Sequence, residues 1–567
     1  MTGEEDILAF DRALARDPRN AVLWCERGAA QMRLHRLDAA LASFDKALTF
    51  DPRNFVALVL RGNARLLAGH SAPAAADYTA ALDVQPDSAG TLYNRGNALK
   101  ALGDEAAALA DYTNAMALEP GLPFLEGARL HARMQLCDWR DHDAAVTDLL
   151  GHVETGLPAA MPFQLVALPS TPAQQLACAK LYAAVKFPPA PERTAHRHGH
   201  DKIRIAYLSG GLREHATALL MAGVFEHHDR TRFETIAVSS SPDDGSAMRR
   251  HLMGAFDQFL DVSAWDDDQV AARLRAMQID ILIDLDGFTA GSRTGIVARR
   301  PAPVQVNYLG YPGSMGAPFM DYIIADGTVA PPGSEAEFLE QLVRLPDSCQ
   351  PNSPRAVAGS PSRAECGLPE QGLVFCAFNN SFKITPDIFD VWMRLLAQVE
   401  GSVLWLLETG AKTNLIREAE WRGISPARLV FAPRLDPASH LARHACADLF
   451  LDTRYCNAHT TASDALWCGL PLITCVGPAF AGRVAASLLR ACGMEELVTR
   501  SLADYEALAL ALARDPARLA GLKTRLRDNR DSCALFDTVR TTRALEHAYL
   551  IMWERAEAGL PPTAFQV

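Results

Sequence analysis

The chain has 567 residues, nearly half of them apolar and 22% charged, with a formal net charge of -12. That length exceeds one hydrophobic core and implies several domains. The negative charge is spread along the chain and no Lys/Arg run stands out, so nucleic acid is excluded as a partner. The start, MTGEED, carries no apolar signal region, and no apolar run approaches the roughly 20 residues that span a bilayer. The twelve cysteines are scattered without a CxxC pair, which predicts reduced thiols in a cytoplasmic protein and neither a disulfide framework nor a zinc site.

From the N-terminus, a 34-residue period appears. Pro18, Pro52, Pro86 and Pro120 keep this step. So do Gly28, Gly62 and Gly96, and Ala40, Ala74 and Ala108. Phe10, Phe44, Tyr78 and Tyr112 follow, with Ala13, Ala47, Ala81 and Ala115. Each unit reads as two antiparallel helices. Small columns allow close approach, an aromatic fills the gap, and proline opens the next unit. The pattern resembles the tetratricopeptide repeat, as a half repeat plus three full units over residues 1–120. Such arrays offer concave surfaces to extended peptides, so a protein or peptide acceptor is expected along this groove.

Residues 121–200 read as capping helices, including LCDWRDHDA at 136–144, and a Pro/His-rich linker. His196, His198 and His200 alternate there without a scaffold for a metal, and a solvated linker is the expectation.

Beyond 200, short apolar runs alternate with helical stretches, the mark of parallel α/β units. Strands are predicted at 202–209, 233–240, 280–287, 303–310 and 321–326. A second set follows at 373–378, 402–408, 428–433, 447–453 and 471–477. These define a lobe at 201–350, a linker at 351–371, a second lobe at 372–535 and a closing C-terminal helix at 536–567. The predicted class is an all-α repeat arm followed by two Rossmann-like α/β lobes facing a cleft, with ligands at strand C-termini.

Three stretches carry chemistry. In LDTRYCNAHTTASDALWCGLP (451–471) a strand ends and a helix begins near His459, Thr460 and Thr461. Free N–H groups and hydroxyls there suit phosphate oxygens, and Asp464 could reach a ribose hydroxyl. The alternative is that Thr460 only caps its helix. In AFNNSFKITPD (377–387), Lys383 precedes a helix start and could neutralise a departing diphosphate; otherwise it is a solvated loop lysine. In LSGGLREHATALLM (208–221), His215 is of the type that exchanges protons near neutral pH, or a structural loop histidine.

ARRPAPVQVNYLGYPGSMGAPFMDYI (298–323), FNNSFKI, SVLWLL and CNAHTT…DALW together resemble the O-GlcNAc transferase family, glycosyltransferase family 41. The resemblance implies a GT-B fold and an inverting, metal-independent transfer of N-acetylglucosamine from UDP-GlcNAc to Ser or Thr hydroxyls of proteins. No metal and no other cofactor are expected. Lys383 matches the diphosphate lysine, His459, Thr460 and Thr461 the phosphate-binding turn, and Asp464 the ribose acid. His440 and Arg443 match the uracil contacts and Cys456 a residue beside the N-acetyl group. Asn380 stands where many relatives have Gln. Gly310 and Pro312 fall in the GYPG signature, and His215 matches the histidine of an acceptor-side loop.

Departures are visible. Gly211, Leu212 and Ala216 replace an Asp, a Phe and a Pro around His215, which predicts a looser loop without a carboxylate. Pro478 and Ala479 replace a polar pair near the sugar. Two other readings follow: a protein O-fucosyltransferase using GDP-fucose, as in plant relatives of this layout, or a weakly active transferase serving as a repeat scaffold. DLD at 284–286 has the form of a metal-binding DxD motif, but its place at a buried strand end argues against that use.

Overall fold

The computed structural model describes residues 3–34, 36–189 and 199–567. The chain forms two compact units, Met1–Leu136 and Cys137–Val567. His196 and His198 lie outside the described residues; the His200 ring faces the Arg204 guanidinium at 3.1 Å.

The first unit is eight helices: α1 Gly3–Arg16, α2 Ala21–Arg33, α3 Leu37–Phe50, α4 Phe55–Leu67, α5 Ser71–Leu82, α6 Ala89–Ala101, α7 Glu105–Leu118 and α8 Leu125–Gln135. The 34-residue period becomes a repeated contact. A Cβ on Gly28, Gly62 or Gly96 would stand 2.6, 2.7 or 2.5 Å from a ring carbon of Phe44, Tyr78 or Tyr112. Glycine is therefore required where each aromatic crosses the preceding helix. Two further columns keep the step. Asn20, Asn54 and Ser88 cap α2, α4 and α6 through their side chains. Arg27 reaches Asp11, Arg61 reaches Asp45 and Asp77, and Arg95 reaches Asp111. The unit runs past residue 120 to Leu136, because α8 packs Leu125, Ala128 and Ala132 into the core that holds Tyr112.

The second unit opens with helices His142–Glu154, Pro162–Leu165 and Pro172–Lys186. Its first lobe contains β1 Ile203–Ser209, β2 Phe233–Ser239, β3 Gln258–Asp261, β4 Ile281–Asp284, β5 Val304–Asn307, β6 Tyr322–Asp326 and β7 Gln341–Leu345. The second lobe contains β8 Val374–Ala377, β9 Val403–Leu407, β10 Leu429–Ala432, β11 Leu449–Leu451, β12 Leu472–Cys475 and β13 Val498–Thr499. A last strand, β14 Phe565–Gln566, pairs with β7. All pairings are parallel, in the orders β14-β7-β6-β5-β4-β1-β2-β3 and β10-β9-β8-β11-β12-β13. Strands buried on both faces explain the continuous apolar runs of β8, β9 and β11. This is the two-lobed GT-B arrangement that the resemblance implies.

Four strands escape the sequence reading. β3 is a half-exposed edge strand without alternation, β7 sits in a stretch that reads equally as helix, and β13 and β14 have two residues each. The closing segment also differs from a helix that finishes the second lobe. Helices Leu502–Ala513 and Pro516–Asn529 pack on that lobe, but Thr538–Glu557 returns to the first and lies on helix Ala216–His227. There Tyr549 meets the Tyr207 hydroxyl at 3.2 Å, and Glu546 meets the His228 ring at 3.1 Å.

Candidate functional site

In doubly wound sheets, ligands lie beyond strand C-termini where the strand order reverses. The first sheet reverses between β1 and β4, the second between β8 and β11. The loops leaving these strands carry Ser209–His215 and Leu285–Gly287 on one side, and Phe378–Lys383 and Asp452–Thr461 on the other. The three stretches singled out by chemistry thus stand at the two reversal points.

Asp452, fully buried, organises the second site. Its Oδ1 accepts from the N–H of Thr453 at 2.8 Å and of Ala458 at 2.6 Å, and its Oδ2 accepts from the Thr474 hydroxyl at 2.7 Å. Burial raises its pKa to about 6 against these hydrogen bonds. Asn379 donates to Thr453 Oγ1 at 3.1 Å and accepts from Thr461 Oγ1 at 2.7 Å, so it ties the two ends of the loop. Asn380 beside it is exposed. Neither Asp452 nor Asn379 stood out in the sequence, where each reads as a strand-end polar residue.

Lys383 ends a short 3-10 turn, and its Nζ donates to the Asn457 carbonyl at 2.7 Å. Cys456 lies buried next to it; burial raises the thiol pKa and Lys383 opposes that rise. His459 donates from Nε2 to the Ala481 carbonyl at 3.0 Å. Helix Thr460–Trp467 follows with no side-chain cap at its start. The capping alternative for Thr460 is therefore not what the fold does. The N-terminus faces the cleft with Thr460 and Thr461 half-buried, an arrangement that receives anionic oxygens.

Burial, with Lys383 adding to it, lowers the His459 pKa from 6.5 to about 3. An imidazole held neutral takes up a proton on unfolding. It contributes stability above its unfolded pKa, and that contribution is lost as pH falls toward the folded value. His459→Asn is expected to flatten the fall in melting temperature between about pH 7 and pH 5; an unchanged slope in a melting series would contradict this.

The two residues matched to uracil contacts divide their work. Arg443 is buried, stacked over Phe378 with its guanidinium carbon 4.7 Å from the ring centroid. It donates to the Pro433 carbonyl at 2.7 Å and to His440 Nδ1. Arg443 thus holds His440 rather than facing the cleft. His440 is half-buried and kept neutral at a pKa of about 3 by burial.

Gly310 sits at a close approach of two backbones. A Cβ there would stand 2.2 Å from the Leu285 carbonyl oxygen, so glycine lets 309–311 cross the end of β4. Pro312 does reach the cleft: a small cavity is lined by Leu309, Tyr311 and Pro312 from the first lobe and by His459, Phe480 and Val484 from the second. A wider surface hollow between Trp139, Arg417, Trp421 and Arg422 holds none of the residues expected at the site.

In the first lobe His215 is the N-cap of helix Ala216–His227 and accepts from the Thr217 N–H at Nδ1, 3.2 Å away. A neutral imidazole that accepts at Nδ1 carries its proton on Nε2, so its free ring nitrogen is a donor. The predicted looseness of this loop is not found. Asp286 Oδ1 accepts from Ser209 Oγ at 2.6 Å and Oδ2 from the Gly210 N–H at 2.8 Å; the Ser241 hydroxyl donates to the Gly210 carbonyl at 2.7 Å. A Cβ on Gly211 would lie 2.6 Å from His215 Nδ1, so the imidazole occupies the place of a side chain at 211. The carboxylate missing from the loop arrives from Asp286, just past β4. Asp284 and Asp286 both point at backbone amides or hydroxyls, and among the described residues no three of His, Cys, Asp and Glu converge as metal ligands. No helix among those residues is long and apolar enough to cross a membrane.

Two parallel sheets, each with a polar crevice at its strand reversal, define a two-lobed Rossmann-like protein with a shared cleft. A model of glycosyl transferase family 41 matches residues 136–350 and 351–545, and a tetratricopeptide-repeat model matches 89–121. The chain belongs to glycosyl transferase family 41. It is 34% identical over 471 residues to the probable UDP-N-acetylglucosamine–peptide N-acetylglucosaminyltransferase SEC of Arabidopsis thaliana, covering 77% of this chain and 48% of SEC. Identity to the UDP-N-acetylglucosamine–peptide N-acetylglucosaminyltransferase of Caenorhabditis elegans is 29%, over 75% of this chain and 48% of that protein. The chain spans about half the length of these curated relatives. A solved structure of a mutant Thermobaculum terrenum O-GlcNAc transferase aligns with a TM-score of 0.72 at 28% identity, over 99% of both chains.

Proposed function

We propose that this protein is an inverting, metal-independent glycosyltransferase that moves N-acetylglucosamine from UDP-GlcNAc to a Ser or Thr hydroxyl of a protein in the cytoplasm. The observation that carries the reading is the second reversal point, where Lys383 Nζ lies 2.7 Å from the Asn457 carbonyl, a few residues before the uncapped helix start at Thr460. The names of the curated relatives supply the donor.

In this reading the uracil meets His440, the ribose meets Asp464, and the diphosphate lies between Lys383 and the helix N-terminus. The acceptor oxygen attacks the anomeric carbon from the face opposite the diphosphate. The new C–O bond forms as the bond to the β-phosphate oxygen breaks, UDP leaves with the electron pair, and the hydroxyl proton passes to a phosphate oxygen or to solvent. Lys383 and the helix dipole stabilise the charge that grows on that oxygen. His215 donates a hydrogen bond from Nε2 on the acceptor side. The repeat groove holds an extended segment of the acceptor. Twelve unpaired cysteines suit a reducing compartment.

The test is thermal stabilisation of the full chain, without added metal, by UDP, UDP-GlcNAc, GDP and GDP-fucose. At about 100 times its dissociation constant a ligand adds about 2.7 kcal/mol. Stabilisation by the uridine ligands is expected. A preference for the guanosine ligands would favour the fucosyl reading, and no shift with any of them would leave a repeat scaffold.

A further inference from the structure

Segment 350–355, where the chain passes from the first lobe to the second, is tied to both reversal points. Toward the second lobe, the Gln350 amide donates to Ser463 Oγ at 2.7 Å. The Trp467 indole donates to the Arg355 carbonyl at 3.2 Å, and the Arg355 guanidinium pairs with Asp464. All three partners belong to the helix whose N-terminus faces the cleft. Toward the first lobe, Ser353 Oγ accepts from the Gly223 N–H at 2.8 Å and donates to the Leu220 carbonyl at 3.0 Å. Those groups lie in the helix capped by His215.

The Arg355–Asp464 pair is enclosed, with side chains 5% and 15% exposed. Nη1 of Arg355 donates to Asp464 Oδ1, and Nη2 donates to Asn352 Oδ1 at 3.1 Å. Asn352 is itself anchored, donating to the Gln350 and Leu535 carbonyls and accepting at its own carbonyl from Thr538 Oγ1. The guanidinium fork is therefore fixed at both prongs. Among the described residues, Asp464 Oδ2 takes no hydrogen bond.

We propose that Arg355 is a positioning residue of the donor site, holding Asp464 by one oxygen so that the other is presented to the ribose hydroxyls of a nucleoside diphosphate. An unpaired carboxylate at this depth would favour its protonated form or turn toward other donors. The pairing fixes its direction. Burial lowers the guanidinium pKa only to about 10, so it stays cationic at neutral pH. This inference rests on the donor-site reading above.

The experiment is equilibrium binding of UDP and 2′,3′-dideoxy-UDP to the full chain, to Arg355→Met, Arg355→Lys and Asp464→Asn, and to the Arg355→Met/Asp464→Asn pair. The unaltered protein is expected to prefer UDP by about tenfold or more, since a site built for a hydroxyl rejects its absence. Arg355→Met is expected to weaken UDP by about tenfold while leaving the dideoxy ligand nearly unchanged, and to add little once Asp464 is Asn. Arg355→Lys keeps the charge without the fork and is expected to fall between. If the Met variant does not fold, the Lys variant decides, and an undiminished preference overturns the role. Equal weakening of both ligands overturns it as well, since that is merely structural damage. Tighter UDP binding by Arg355→Met would make Arg355 a plug. Failure of the unaltered protein to bind UDP would remove the donor-site reading and this role with it.

Discussion

Lys383→Met is expected to lower transfer by about 100- to 1,000-fold, the range seen when one preorganised donor to developing negative charge is removed. UDP binding should change by only a few fold. The asymmetry follows from where the ammonium sits. Its Nζ donates to the Asn457 carbonyl and meets the Cys456 thiol, which leaves a third N–H for phosphate oxygens. Bound UDP is also held at the uracil, at the ribose and by the helix N-terminus, so losing one cation costs the ground state little. In the transition state the charge grows on the leaving oxygen, and the cation matters most there. The checks are steady-state transfer to a protein acceptor, nucleotide binding and a melting curve. Unaltered turnover in a folded variant would end the assignment.

Gly310→Ala is expected to cost about 3 kcal/mol of stability, the upper part of the range for overpacking, because the obstruction is backbone and cannot rotate away. The added methyl would lie 2.2 Å from the Leu285 carbonyl and 3.0 Å from Asp286 Cα. Relief must come from shifting 285–286, and with it the carboxylate that pins Ser209 and Gly210 beside His215. The variant should therefore lose transfer beyond its loss of stability, while UDP binding at the second lobe persists. Gly313→Ala is the control, since its methyl would make only ordinary contact at 3.5 Å. Urea unfolding of both variants, with transfer assays, checks this; equal behaviour of the two would contradict it.

Much of the site was legible because its signals are local. A strand end, a loop and a helix start place Lys383 and His459–Thr461 from sequence alone, and the strand order then brings the two loops together. The organising groups were not legible because their partners are distant. Asp286 acts on Gly210, 76 positions away, and Arg355 on Asp464, 109 positions away. Gly310 is legible as a motif glycine, but the backbone crossing it permits depends on Leu285 in a distant loop. The repeat arm is legible in its small and aromatic columns, and its capping and ion-pair columns carry the same period.

The return of helix Thr538–Glu557 and strand β14 to the first lobe makes that lobe discontinuous in sequence. The polypeptide crosses between lobes twice, through 350–355 and again before Thr538. Two tethers restrict relative motion to a bend about the line joining them, whereas a single tether would also permit swivelling. A fragment cut at residue 350 would keep seven of the eight strands but lose the helix that covers Tyr207 and His228. Expression of the first lobe as a contiguous piece would thus yield an unfinished core, and a separable first lobe would need its C-terminal segment supplied in trans or spliced on.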